Sequence, residues 1–298
     1  MVDFGLIVVA LLNGLANGML LLLAAVGLTL IFGVLGVLNF AHGSLYMLGA
    51  YFAILTMQTS ILPGPLQENF WLSAIVAIVC VSIVGGLIEK FIIRRIYEYT
   101  HEFQLLLTFA LVLIIDYGVR IVYGAQPKLV AVPPALDFSF NILGRQYPAY
   151  NAFILLVGII VIVALWAMFT YTRFGKKTRA AAQDREIANA HGINVYQIFT
   201  VVFILGSALA ALGGVLAAPY QSITPAMGEH IIVDSFIIVI IGGLGSFPGA
   251  LLGALLIGVI DATAFLLMPE IQSYVPYVLM AVVLILRPEG LLKGGESV

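Results

Sequence analysis

The side chains in this sequence that could do chemistry are few and scattered. No Gly-rich loop ends in Gly-Lys-Ser or Gly-Lys-Thr, the pattern whose backbone amides cradle a nucleotide phosphate. No Ser–His–Asp set or paired carboxylates stand out for nucleophilic or acid–base work. His42 has no Cys, Asp or second His nearby at metal-ligand spacing, and His191 and His230 are distant in sequence, so no metal site is expected. No catalytic, cofactor-binding or metal-ligating role is assigned to any residue. What remains is a handful of ionisable groups inside apolar segments, namely Asp116, Arg120, Asp234 and Asp261, and one polar run from Thr170 to Asn194.

Those groups gain meaning from their surroundings. The chain has 298 residues, 62% hydrophobic and only 9% charged, against roughly 25% charged in a soluble protein. So few charges cannot cover a soluble domain, which excludes a soluble enzyme. Cys80 has no second cysteine to pair with, which excludes a disulfide scaffold. A net charge of -2 leaves no basic surface for nucleic acid. The solvent of this chain is mostly lipid.

The elements that position these groups are therefore membrane segments. Apolar stretches run at 4–32, 45–57, 70–88, 105–123, 150–169, 198–218, 231–268 and 271–286. The first is expected to be tilted or broken near Asn13 to Gly18. The stretch 231–268 is long enough for two passes, since one pass takes about 20 residues of helix. Its natural break is Gly242-Gly243-Leu244-Gly245-Ser246-Phe247-Pro248-Gly249. The runs are continuous and leucine-rich rather than alternating, which selects helices over a barrel. The expectation is an all-α polytopic membrane protein forming a single transmembrane domain over 1–298. It is a bundle of about nine crossings with short or discontinuous segments near 33–43 and 242–249. Small residues at 208–214 and 249–254 favour close helix contact.

Basic residues orient the bundle. Lys90, Arg94 and Arg95 follow the third segment; Arg173, Lys176, Lys177, Arg179 and Arg185 follow the fifth; Arg287 and Lys293 follow the last. With this count all three clusters share one side, expected to be the cytoplasm. The N-terminus and the loop from Gly124 to Ala149 then lie outside. Asp116 and Arg120, four apart, share a helix face. They are read as a pair near the outer interface, with a contact on a route through the bundle and a snorkelling arginine as alternatives. Asp261 has no local cation and must face protein or a wet cavity, either on such a route or in packing. Asp234 lies close to the outer end of its segment and needs no special account. Asn39, Phe40, His42 and Gly43 in the first irregular region, and Gly243, Gly245 and Ser246 in the second, are candidates to line or gate the route, because broken helices expose backbone groups to a cargo. Tight turns between packed helices remain the alternative.

The polar run reads as a short helix outside the lipid. Thr178 is the expected cap, Ala190 its last residues' neighbourhood, and Gly192 its stop. Arg179 and Arg185 are expected to face other polar surfaces. The segment, about 173–197, is a docking element for a cytoplasmic partner or a solvated connector. Arg179, Gln183, Asp184, Arg185, Glu186, His191 and Gly192 are its candidate contacts.

Several stretches together resemble one family. They are 27–43 with Tyr46-Met47-Leu48-Gly49-Ala50-Tyr51, the run 179–188 with Gly192-Ile193, the run 242–250, and Arg287-Pro288-Glu289-Gly290-Leu291. In this order they resemble the bacterial ABC-importer permeases for branched-chain amino acids, in particular the shorter of the two permease subunits. Where many members carry an acidic residue after His-Gly, this chain has Ser44. The resemblance implies an inner-membrane permease paired with a second homologous permease, two cytoplasmic ATPase subunits and a periplasmic substrate-binding protein. ATP and magnesium would bind in those partner subunits and no cofactor in this chain. The segment at 179–193 would couple to an ATPase subunit. Cargo would be branched-chain or related small amino acids; the same machine carrying urea or short amides is an alternative. So is an ion-coupled secondary transporter or channel, in which Asp261 would be the coupling carboxylate.

Overall fold

The computed structural model describes residues 4–58 and 69–292. Lys293, the last basic residue of the third cluster, lies outside the described residues. The chain folds as helices α1 (Phe4–Leu35), α2 (Ala41–Gln58), α3 (Phe70–Phe91), α4 (His101–Tyr123), α5 (Ala149–Tyr171), α6 (Arg173–Gln183), α7 (Arg185–Ala190), α8 (Val195–Ala217), α9 (Met227–Gly242), α10 (Phe247–Leu267) and α11 (Val275–Leu286). All nine expected apolar segments are helical, and among the described residues seven helical stretches are long and apolar enough to cross a membrane. The other two segments are α2, with 18 residues, and α9, with 16.

Helix α1 is apolar on every side and sits at the centre, almost wholly enclosed by the others. Its 32 residues make a rod about 48 Å long. The expected break near Asn13 to Gly18 does not occur. Gly14 and Gly18 are instead contact points, where α10 comes so close that a Cβ on Gly14 would collide with the Gly258 carbonyl and one on Gly18 with that of Ala254. Packing overrides the low helix propensity of glycine. The same device recurs where Gly27 meets Gly206 of α8, Gly43 meets Gly228 of α9, and Gly213 and Gly214 of α8 meet Tyr46 of α2. The small residues at 208–214 and 249–254 thus do bring helices together.

Two links between helices are irregular, as expected, but the first is placed differently. Helix α1 ends at Leu35, with Gly36 in the left-handed region (φ 68°). From there 37–40 does not turn at the end of the bundle. It climbs back inside, so that the Nε2 of His42 lies 2.9 Å from the carbonyl oxygen of Ala24. Asn39 caps α2 from within, its Oδ1 accepting from the Ala41 amide at 3.1 Å. Non-helical backbone at this depth is tolerated because protein surrounds it. The second link is tight. Gly243 (φ 105°) ends α9, and the Ser246 hydroxyl caps α10 by accepting from the Gly249 amide at 3.1 Å. Pro248 falls in the first turn of α10, where its missing N–H costs nothing. The chain's last described stretch docks here: the amides of Leu291 and Leu292 donate to the carbonyls of Ile241 and Gly242 at 2.8 and 3.1 Å. Orphan carbonyls at the end of α9 are satisfied in this way.

The loop after α4 carries a feature that the all-α expectation lacked. Strands β1 (Ser139–Ile142) and β2 (Arg145–Pro148) form an antiparallel hairpin. Its turn is Leu143-Gly144, both at positive φ, the geometry that matches strand twist in a two-residue loop. The hairpin rests on the N-terminal end of α1, with Leu143 against Gly5.

The three basic clusters gather at the opposite end. Arg94 reaches Thr200 at the start of α8, Arg185 reaches the last carbonyl of α1, and the tail after Arg287 packs on Gly243. We call this the basic end, and the hairpin end the other.

Candidate functional site

Helix α1 walls two regions of cavity separated by a closed layer. Near the hairpin end, a cavity of about 360 Å³ is lined by Asn17, Leu20 and Leu21 of α1, Tyr46 of α2, Gln221 to Thr224 before α9, His230 and Asp234 of α9, and Asp261 of α10. A second cavity, of about 370 Å³, shares Asn17 and Asp261 with it and runs along α1 past Asn13 to Leu6. Together they make a polar route from the hairpin end to the middle of α1. Near the basic end, a cavity of about 320 Å³ is bounded by Thr29, Gly33 and Gly36 of α1, by Arg179 and Gln183 of α6, and by Gly245 and Phe247. Between Leu21 and Thr29, residues Leu22 to Leu28 are buried. Eight residues of helix put about 12 Å of packed protein between the two regions.

The polar wall of the route is built by hydrogen bonds between helices. Asn151 of α5 donates through its Nδ2 to the Oδ1 of Asn13 at 2.8 Å. Asp261 accepts from the Nε2 of Gln272 at 3.0 Å. Asp116 and Arg120 make no ion pair, contrary to the sequence expectation. Ser44 donates its hydroxyl to the Oδ1 of Asp116 at 2.9 Å, and the Arg120 guanidinium lies over the Tyr117 ring. The carboxylate is the better-served partner because Ser44 faces it within the bundle, while Arg120 is exposed.

The polar run at the basic end is two helices, not one. Thr172, rather than Thr178, caps α6 by accepting from the Gly175 amide at 3.2 Å. Thr178 is buried in mid-helix, its hydroxyl donating to the Phe174 carbonyl. The helix breaks at Asp184, whose extended backbone and carboxylate start α7 by accepting from the Ile187 amide at 2.9 Å. Aspartate favours a cap over a helix interior. Gly192 (φ 78°) ends α7 as expected, with the Ile193 amide donating to the Ala188 carbonyl and the Gly192 amide to that of Asn189.

Arg179 and Arg185, read as facing other polar surfaces, meet backbone carbonyls and hold this segment to the bundle. Arg179 donates from Nη1 to the Phe169 carbonyl at 2.7 Å, at the end of α5. Arg185 donates from Nη2 to the Leu35 carbonyl at 2.6 Å, and its guanidinium lies 4.9 Å from the Phe199 ring centre. Both satisfy carbonyls at helix C-termini, where positive charge is favoured. Arg185 also lies over Tyr97, whose hydroxyl donates to Glu89 at 2.6 Å. Burial and that bond to Glu89 push the Tyr97 phenol upward, so it stays a neutral donor. Glu89 is buried and paired with Arg94 through two hydrogen bonds, at 3.0 and 3.2 Å. This leaves Gln183, Asp184, Glu186, Ile187, Ala190, His191 and Gly192 exposed at the basic end.

The route candidates divide. Asp261 lines both cavities of the hairpin end, and Gly245 lines that of the basic end. Asn39, His42 and Gly43 are packed in the interior and border none of these cavities, and Phe40 packs on Phe236 with ring centres 4.8 Å apart. Gly243 and Ser246 serve the turn between α9 and α10. Sequence reasoning missed Asp234 and Tyr46 as members of one cavity. It placed Asp234 near an outer helix end, whereas α9 begins beside Leu20 and Leu21, halfway along α1. The signal available was the short length of α9, which cannot reach from one face of a bilayer to the other.

Comparison with known proteins places this arrangement. A family model described as branched-chain amino acid transport system / permease component matches residues 10–284. The chain is 29% identical to the high-affinity branched-chain amino acid transport system permease protein LivH of Salmonella typhimurium, covering 95% of this chain and 94% of that one. It is 31% identical to the corresponding protein BraD of Pseudomonas aeruginosa, over 96% and 95%. It is 30% identical to a probable branched-chain amino acid transport permease protein LivH of Methanocaldococcus jannaschii, over 91% and 88%. No solved structure matches.

Proposed function

The chain belongs to the family of branched-chain amino acid transport permeases, and from that premise we propose that it is the membrane-spanning subunit of an ATP-driven importer for branched-chain or related small amino acids. It moves cargo inward by alternating access, in the inner membrane of a bacterium, with the basic end in the cytoplasm and the hairpin end facing the periplasm. All nine apolar helices are taken to cross or enter the bilayer. Cargo arrives from a periplasmic binding protein. A second homologous permease completes the membrane part, and two ATPase subunits bind ATP and magnesium below it.

The observation that carries this reading is the pair of cavities toward opposite ends of α1, closed from one another by Leu22 to Leu28, with α6 forming a wall of the lower one. An alternating-access machine needs two such regions and a barrier that switches between them. It also needs a handle for the motor. The exposed face from Gln183 to Gly192 offers one, and Arg179 and Arg185 fasten it to the ends of α5 and α1. A motor pulling on α7 therefore pulls on the end of α1 beside Gly36. A ligand or motor biases two states only through differential contacts, and here those contacts end on the barrier helix itself.

The test is reconstituted uptake. The permease, its gene-neighbour permease, ATPases and binding protein are placed in proteoliposomes and offered leucine, isoleucine, valine, urea and acetamide. Uptake of the three amino acids that requires ATP and the binding protein is expected. ATP-independent uptake driven by an ion gradient would replace this reading with a secondary transporter.

A further inference from the structure

The cavity at the middle of α1 has a charge pattern that selects among cargoes. Two carboxylates, Asp234 from α9 and Asp261 from α10, line it, and no Lys or Arg does. Asp261 is served by the neutral amide of Gln272, and no cation pairs with either acid among the described residues. His230 is the basic group of the lining and lies at the exposed rim. A second observation is independent of the acids. Tyr46 is 1% exposed and lines the same cavity, yet its hydroxyl hydrogen-bonds to no described residue. Its ring is held by Gly213, where a Cβ would collide with it. Tyr46 borders the cavity, where a ligand or water can supply the partner that protein does not. The rest of the wall mixes the apolar Leu20, Leu21 and Ile257 with the polar Asn17, Gln221 and Ser222.

We propose that this cavity is a cargo station, in which the ammonium group of a transported amino acid is held between Asp234 and Asp261 beside the Tyr46 hydroxyl, with its carboxylate turned away from the two acids toward Gln221, Ser222 and His230 and its aliphatic side chain against Leu20, Leu21 and Ile257. The assignment rests on the importer reading and sharpens it. Two carboxylates with no cation of their own favour a solute that brings an ammonium group and gain little from one that has no cationic group. Such a station favours amino acids over urea and short amides. An inorganic cation shares the charge chemistry but has no use for the aliphatic wall.

The test uses the reconstituted importer with radiolabelled leucine. Asp234→Asn and Asp261→Asn are each expected to cut leucine uptake at least tenfold, while binding-protein-stimulated ATP hydrolysis stays within twofold of the parent. Asp234→Glu and Asp261→Glu are expected to keep a third or more of the flux. Replacing sodium by choline in the medium is expected to leave parental uptake unchanged. In a chain altered otherwise only by Cys80→Ser, leucine delivered by the binding protein is expected to slow thiol labelling of Asn17→Cys, a measurement that stands even if an aspartate variant fails to assemble. Undiminished leucine flux in both Asn variants, or no protection of Asn17→Cys, overturns the station and leaves the importer standing. Sodium-dependent uptake that Asp234→Asn abolishes assigns the acids to an inorganic cation and also overturns it. A parent importer that carries urea or acetamide but not leucine refutes the importer reading for amino acids, and the station with it.

Discussion

The Arg185 guanidinium joins three structures at once: the carbonyl end of α1, the ring of Phe199 on α8, and the ring of Tyr97 beside the Glu89–Arg94 pair. A lysine could supply the charge but not the flat, multiply donating face that stacks and bonds together. Arg185→Ala and Arg185→Lys are therefore both expected to lower coupled uptake about tenfold, an arithmetic of about 1.4 kcal/mol, with the assembled complex intact on size-exclusion chromatography. Retention of full uptake by the lysine variant would show that charge alone suffices. Glu89 is a different case, because its side chain is wholly buried while Arg94 is 29% exposed. Removing one partner of a fully buried pair costs about 3–5 kcal/mol; partial hydration of Arg94 brings the expected cost of Glu89→Gln to about 2 kcal/mol. Thermal unfolding in detergent should show that loss, and adding Arg94→Gln should recover half of it or more. If the double variant unfolds as early as the single one, packing rather than charge sets stability at this corner.

Helix contacts in this bundle are decided by glycines, and two of them separate the physics. A methyl group on Gly258 would strike the Gly14 carbonyl and the backbone of Gly18, all in helix backbone that cannot turn aside. Overpacking of this kind costs about 1–3 kcal/mol, so Gly258→Ala is expected to lower the unfolding temperature of the detergent-solubilised protein. Gly118 of α4 has nothing within 4 Å of where a Cβ would stand. Gly118→Ala is expected to be neutral or to add up to about 1 kcal/mol through helix propensity alone. Equal effects at the two sites would argue against close packing as the role of the α1–α10 glycines. At this scale much of the molecule was legible in the sequence. The apolar runs, the break at Gly243 and the stop at Gly192 follow from side-chain polarity and backbone freedom, which are local. The climb of 37–40 back to the level of Ala24 was not legible, because it depends on which helices surround it. The split of the polar run at Asp184 lay within reach, since aspartate starts helices more readily than it continues them. The same limit hid Asp234, whose depth is set by where α9 begins in space rather than by its distance from a helix end in sequence.

For the molecule as a whole, the closed layer from Leu22 to Leu28 makes a claim about sidedness. Asn17 opens toward the hairpin end and Phe32 toward the basic end. An engineered cysteine at either place reports which side water reaches, provided that the native Cys80, half-buried on α3, is first changed to serine. In sealed, right-side-out vesicles without nucleotide, Asn17→Cys is expected to react with an impermeant thiol reagent added outside and Phe32→Cys to be protected from it. In inside-out vesicles the order should reverse. When the ATPases are trapped with vanadate in the presence of the binding protein, the reactivity of the two positions should change in opposite directions, by about threefold or more, since a single barrier cannot open at both ends and still hold a gradient. Such a shift corresponds to only about 0.65 kcal/mol between states. Anchoring α7 to the last carbonyl of α1 can supply so small a bias, and Arg185→Ala provides the internal control. With that anchor gone, trapping should leave both labelling rates near their resting values. Opposite shifts that persist without Arg185 would mean that the motor reaches α1 by another contact, with Arg179 at the end of α5 as the next to remove.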